Sequence, residues 1–205
     1  MKKIAVLFLI LSSTLSLSKT VHIKADFVKP TDQEILYKGS VVLRIDEDDL
    51  TLKADEVVVR KVRDKWKVVE AKRKVNVAVK GGELTADSLV YDLEEKKGKA
   101  IGKVSGTFVD EETSEKVSIE CGELTFDLNK ENYGSESETV IRKGDTEVKT
   151  LRFVYDKKGG VIVLEGVLDL VDKRKNLKMS AEKVTMDIRK DTVEATRVSA
   201  TLEVE

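Results

Sequence analysis

Cysteine, proline, histidine and tryptophan each occur once in these 205 residues, and aromatic side chains make up only 5%. With Cys121 alone, no intramolecular disulfide can form, so stability falls to the core and the backbone ladder. The solitary His22 lies a few residues beyond a candidate processing point, where termini are mobile. A Ser–His–Asp arrangement needs a firmly placed histidine, and His22 with Cys121 makes one pair without the companions a zinc site requires. Low aromatic content and one proline suit a regular core of Val, Leu and Ile. Neither sign of charge dominates: 37 Lys and Arg stand against 38 Asp and Glu. No nucleic-acid footprint and no basic membrane patch follow from that balance, and no cofactor motif stands out.

The N-terminus reads as a secretory signal. Lys2 and Lys3 supply the positive start, Ile4 to Leu11 an apolar run, and Ser16-Leu-Ser18 a small-x-small cleavage site. A retained anchor is the alternative; a spanning helix needs about 20 apolar residues, and Ser12, Ser13, Thr14, Ser16 and Ser18 interrupt the stretch. Residues 1–18 are therefore a signal peptide or anchor, and 19–205 a single domain. Loss of 1–18 moves the net charge from 37 − 38 = −1 to 35 − 38 = −3.

What the chain does have is a repeat. Leu50-Thr-Leu-Lys-Ala-Asp-Glu-Val-Val-Val-Arg60 is echoed by Gly82-Glu-Leu-Thr-Ala-Asp-Ser-Leu-Val-Tyr-Asp92. Weaker copies run over Val117–Asp127, Thr146–Asp156 and Leu177–Asp187. Their last residues are 32, 35, 29 and 31 apart. A period of this size marks a stacked architecture, in which each unit buries its apolar face against its neighbours. Such a chain presents a long surface and not one focal catalytic site.

Apolar and polar residues alternate with period two, as in Val41, Leu43 and Ile45 or Val75, Val77 and Val79, which places one set on each face of a strand. Turn signals separate these runs: Asp46-Glu-Asp-Asp49, Lys80-Gly-Gly82, Glu94 to Gly98, Asn129 to Asn132, Lys157 to Gly160 and Asp172 to Asn176. Ala54, Val57, Val58, Val62, Trp66 and Val69 sit near helical spacing, but the β-branched runs at Val57–Val59 and Val68–Val69 favour strand. Each period holds two strands of roughly eight to ten residues, about 30 Å long. Leu50, Leu52 and Ala54 share one parity and Val57 and Val59 the other. A β-bulge at Asp55 reconciles them, and the aspartate there, like Asp87 in the next copy, then either satisfies the freed backbone donors or is a surface residue beside a small alanine. Repeated in every rung, that bulge bends the sheet.

Other features read as structural. Asp46-Glu-Asp-Asp49 lacks the spacing and turn glycine of a calcium loop and reads as a solvated hairpin turn. Gly98-Lys-Ala-Ile-Gly-Lys103 is one residue short of a phosphate loop. Cys121 takes the place of Ala54 and Ala86 as a small core filler. Trp66, in a charged turn, reads as a ring laid over a sheet edge.

Leu84-Thr-Ala-Asp-Ser-Leu-Val-Tyr91, followed by Lys99-Ala-Ile-Gly-Lys-Val104, resembles the repeat of the OstA-like family of lipopolysaccharide transport proteins. Its members include LptA-like periplasmic proteins, with LptC and the LptD N-terminal domain as relatives. The resemblance covers roughly residues 22–204. It is strong over Leu36–Asp92 and Lys99–Val104, and the later copies replace Ala-Asp by Cys121-Gly122, Leu151-Arg152 and Ala181-Glu182. It implies an all-β fold: an elongated antiparallel β-jellyroll of stacked two-strand repeats, open at both ends. It further implies no enzymatic activity, a periplasmic location, and a cargo of lipopolysaccharide or a related glycolipid with acyl chains in an apolar slot between two sheets.

Parity and repeat position turn Val41, Leu43, Leu52, Ala54, Val57, Val59, Val75, Val77, Leu84, Ala86, Leu89, Tyr91, Phe126, Phe153 and Tyr155 inward, where the resemblance places lipid. Open ends near Ile23–Val28 and Val198–Val204 offer unpaired strands for self-association or for pairing with LptC-like and LptD-like jellyroll domains. The rival readings are a membrane-anchored LptC-like component and a structural cell-surface β-solenoid without a lipid ligand.

Overall fold

In a computed structural model, residues 20–79, 81–109, 114–190 and 192–202 are described. The signal or anchor segment and Val204 lie outside them. No helix among the described residues is long and apolar enough to cross a membrane.

The strands are β1 (Val21–Lys24), β2 (Phe27–Pro30), β3 (Glu34–Ile45), β4 (Leu50–Val62), β5 (Lys65–Val79), β6 (Gly82–Asp92) and β7 (Lys97–Val109). They continue as β8 (Lys116–Asp127), β9 (Asn132–Ser135), β10 (Thr139–Lys143), β11 (Thr146–Asp156), β12 (Val161–Asp172), β13 (Leu177–Asp187) and β14 (Thr192–Leu202). They pair antiparallel in one continuous meander, each unbroken rung with the rungs before and after it. Two rungs are broken: β1 and β2 both pair with β3, and β9 and β10 both lie between β8 and β11. Fourteen strands thus make 14 − 2 = 12 rungs, or six hairpin repeats. The sixth motif copy is Val21-His-Ile-Lys-Ala-Asp-Phe-Val28, whose Lys24-Ala-Asp26 repeats Lys53-Ala-Asp55.

Unbroken rungs run for eleven to fifteen residues, longer than the period suggests, because each crosses a fold in the sheet. Pairing slips at Lys53/Glu56, Lys72/Val75, Thr85/Ser88 and Ile101/Val104, so the Ala-Asp step is the bulge expected there. Opposite each step the returning strand turns left-handed over two residues: Gly39-Ser40, Arg73-Lys74 and Gly102-Lys103 all have positive φ. The bulge reverses side-chain parity, so Leu50, Leu52 and Ala54 before it and Val57 and Val59 after it all face inward and are buried. The meander is thereby folded along a spine into two facing layers: an antiparallel β-jellyroll with a rim of turns on each layer and a seam between the rims.

Of the two readings of these aspartates, the capping of freed backbone donors is not the one seen. Asp55 pairs with Lys74 across the spine at 3.6 Å. Asp87 lies over Gly102, at φ +77, where any Cβ would overlap its carboxylate. Glycine there meets both the left-handed backbone and the close approach. The aspartates that do satisfy backbone donors end the motif. Asp92 accepts from the N–H groups of Glu94 and Glu95, Asp127 from Asn129 and Lys130, and Asp187 from Arg189 and Lys190. Each closes a turn of the second-layer rim. The Lys190 ammonium, with the Lys190 N–H, holds the Asp187 carboxyl below the usual carboxylate range.

Among the described residues β1 and β2 pair only with β3, and β14 only with β13, so the sheet is open at both ends there, as expected. Phe27, Val28, Val193 and Val198 on these end rungs are exposed.

Candidate functional site

All fifteen residues assigned inward from sequence are buried, from Val57 and Val77 at 0% to Ala86 and Tyr155 at 7% exposure. In the N-terminal rungs they make a packed interior. Gly98 stands between Tyr91 on β6 and Phe126 on β8, and its missing side chain lets their rings stack at 6.1 Å. A Cβ on Gly98 would run into the Phe126 ring.

The seam beside these rungs is fastened by Asp48. Its turn, Asp46–Asp48 with Asp49 left-handed, sends the carboxylate inward and not into solvent as the acidic run suggests. Asp48 there holds Lys96 Nζ at 2.7 Å and accepts from the Tyr91 hydroxyl at 2.9 Å, joining the rim of one layer to that of the other. Burial first, then this hydrogen bond, pushes the Tyr91 hydroxyl well above its ordinary value. Tyr91→Phe is expected to cost about 1.5–3 kcal/mol, the range for hydrogen bonds to charged groups, measured as a lower urea midpoint with unchanged slope.

Farther along, the layers part. Between β8, β10, β11, β12 and β13 on one side and β12, β13 and β14 on the other lies a cavity of about 390 Å³, within the roughly 300–1,000 Å³ range of ligand pockets. Val117, Ile141, Val148, Leu170, Leu177 and Met179 line it from the first layer, and Ile162, Leu164, Met186 and Val193 from the second. Polar groups gather at its mouth: Glu115, Lys143, Thr146, Asp172, Arg174, Lys175 and Asp187. Lys143 pairs there with Glu115 at 2.7 Å and Lys175 with Asp172 at 3.9 Å. The arrangement is amphipathic, with an apolar interior and a charged lip.

None of the fifteen residues lines this cavity. Its position follows from side-chain size. No Phe, Tyr or Trp occurs after Tyr155, so the last three rungs have no aromatic ring to fill the interior. Both methionines beyond Met1 sit on its wall, as suits an irregular gap. Sequence reasoning missed both signals.

Cys121 packs partly buried against the core, and burial pushes its thiol up to about 11. At pH 8 about one thiol in a thousand is then thiolate, against roughly one in four for an ordinary cysteine. Maleimide or disulfide reagents are expected to label the folded protein over a hundredfold more slowly than the urea-unfolded chain; equal rates would contradict this placement. Trp66 is 41% exposed, with Lys61 Nζ 4.8 Å from its ring centroid. Among the described residues no group of three or more His, Cys, Asp or Glu is placed to hold a metal.

The sequence model of a family described as LptA/(LptD N-terminal domain) LPS transport protein matches residues 22–132, over half of the chain. No curated protein matches. Among matching solved structures is the crystal structure of LptH, described as the LptA-homologous periplasmic component of the conserved lipopolysaccharide transport device from Pseudomonas aeruginosa. It has 11% identity and a TM-score of 0.27, and the match covers 91% of this chain and 96% of that one. At that score the fold rests on the strand pairing described above and not on the superposition.

Proposed function

Because the chain belongs to the LptA/LptD N-terminal-domain family of lipopolysaccharide transport proteins, a transport family and not an enzymatic one, we propose that it is a periplasmic lipid bridge. In this reading the acyl chains of lipopolysaccharide or a related glycolipid enter between the two layers while the sugars stay outside the seam. The observation that carries it is the apolar cavity with a charged lip.

Each buried methylene contributes about 0.8 kcal/mol, so an acyl chain is held without any directional contact. Lys143, Arg174 and Lys175 at the mouth suit the anionic part of such a lipid. Movement along the stack exchanges apolar contacts for apolar contacts, because each rung turns an apolar face inward; Leu52, Val57, Leu84 and Leu89 are the counterparts on the packed N-terminal rungs, where the rings must part for a chain to pass. The end rungs β1/β2 and β14 supply free backbone donors and acceptors, through which copies, or LptC-like and LptD-like jellyroll domains, join by strand addition. In this reading direction along the stack comes from partners.

Native mass spectrometry of the full chain, released gently from cells, tests the reading. A population heavier by the mass of one glycolipid, stripped by detergent, is expected. Bare protein throughout, under conditions that keep lipid on a control lipid carrier, would sink it.

A further inference from the structure

The cavity has a definite inner end. Phe108 on the first layer reaches across to Tyr133 on the second, ring centroids 4.9 Å apart and tilted 58°. Tyr133 in turn stacks on Tyr155 at 6.1 Å. All three rings are buried. Register sets them directly against the cavity wall: Phe108 is the cross-strand partner of Val117, and Tyr155 of Ile162, both of which line the cavity. Phe108 is held inward over two glycines, its ring 3.2 Å from where a Cβ on Gly106 would stand and overlapping one on Gly82. On the far side of this partition stand Tyr91 and Phe126, with the Asp48 fastening beyond.

We infer that the Phe108–Tyr133–Tyr155 stack is the stop that sets the depth of the acyl seat, and so selects the length of hydrocarbon chain the resting protein accepts. The inference rests on the lipid-binding reading above. A chain entering from the seam lies along Leu164, Leu170 and Met179 and meets the rings end on. Hydrocarbon beyond that point stays in water or must part the rings. Affinity therefore rises by about fourfold for each methylene that fits and then stops rising.

The test is calorimetric titration of the full chain with saturated lysophosphatidylcholines of stepwise longer acyl chain, each below its micelle concentration. Wild type is expected to show the climb and a plateau. In Phe108→Ala the climb is expected to continue to longer chains. Ile162→Phe, which thickens the wall instead of opening it, is expected to bring the plateau to shorter ones. Thermal unfolding checks that each variant is folded; should Phe108→Ala fail to fold, Ile162→Phe decides alone. A plateau at the same chain length in folded variants overturns the stop and leaves the lipid-binding reading standing. Wild-type protein that binds no chain of any length overturns both.

Discussion

Met179→Asp is expected to weaken acyl-chain binding by about three orders of magnitude at pH 7 while leaving the fold intact. Met179 lines the first-layer wall of the cavity and is 8% exposed. With the cavity empty, an aspartate there borders the open cavity, where its charge is solvated far better than beneath a bound chain. A hydrocarbon chain lying against it removes that water and disfavours the charged form. A shift of about three pKa units in the complex corresponds to about 4 kcal/mol, at 1.36 kcal/mol for each unit. The sign is checkable. The carboxyl pKa is raised further when lipid is bound, so binding takes up a proton. Affinity then recovers about tenfold for each pH unit below 7 until the free carboxyl itself protonates near 4. Met179→Leu keeps the wall apolar and is expected to bind like wild type. Calorimetry across pH measures both variants; a pH-independent loss in Met179→Asp would mean damage to the wall and not desolvation of a charge.

Phe153→Ala carries the largest expected effect on stability. Phe153 is 1% exposed, pairs across the ladder with Leu164, and is among the largest fully buried side chains. Truncating a buried phenylalanine costs about 3–5 kcal/mol through lost transfer energy and the cavity left behind. For a domain of this size that is about 6–20 °C in melting temperature. Its neighbour Val154 points to the outer face and is exposed, so Val154→Thr is expected to stay within about 0.5 kcal/mol. Adjacent positions with opposite outcomes verify the parity on which the inward face depends. Comparable losses at both would place the strand one residue out of register.

Much of this architecture was legible in the sequence, and for a simple reason. A strand exposes its side chains with period two, and a stack repeats its rungs with a fixed period, so alternation and self-similarity report geometry directly. The opposed parities of Ala54 and Val57 mark the fold in the sheet, and the register slips at Lys53/Glu56 and Thr85/Ser88 lie at that step. The sixth copy, Val21–Val28, escaped because Phe27 and Pro30 stand where Glu56 and Val59 do in the strongest copy.

Parity says which residues face inward but not how well they fill the interior. The cavity arises from what is missing after Tyr155, an absence spread over three rungs and visible only when the layers are set face to face. Asp48 escaped for a related reason. A run of four acidic residues reads as a solvated turn, and nothing local shows that Lys96 and Tyr91 arrive opposite it from two rungs away. The sequence left the role of Asp55 and Asp87 open because their partners, Lys74 and Gly102, lie on the next strand.

The central claim is that lipid lies between the layers, and neighbouring positions on β13 test it most directly. Met179 faces the cavity, whereas Lys178 faces outward and pairs with Asp169 at 3.4 Å. A photo-crosslinking residue placed at each position in turn, in cells making lipopolysaccharide, is expected to give a lipopolysaccharide adduct from position 179 and none from 178. Adducts from 178 alone, or equally from both, would contradict an interior seat for the lipid.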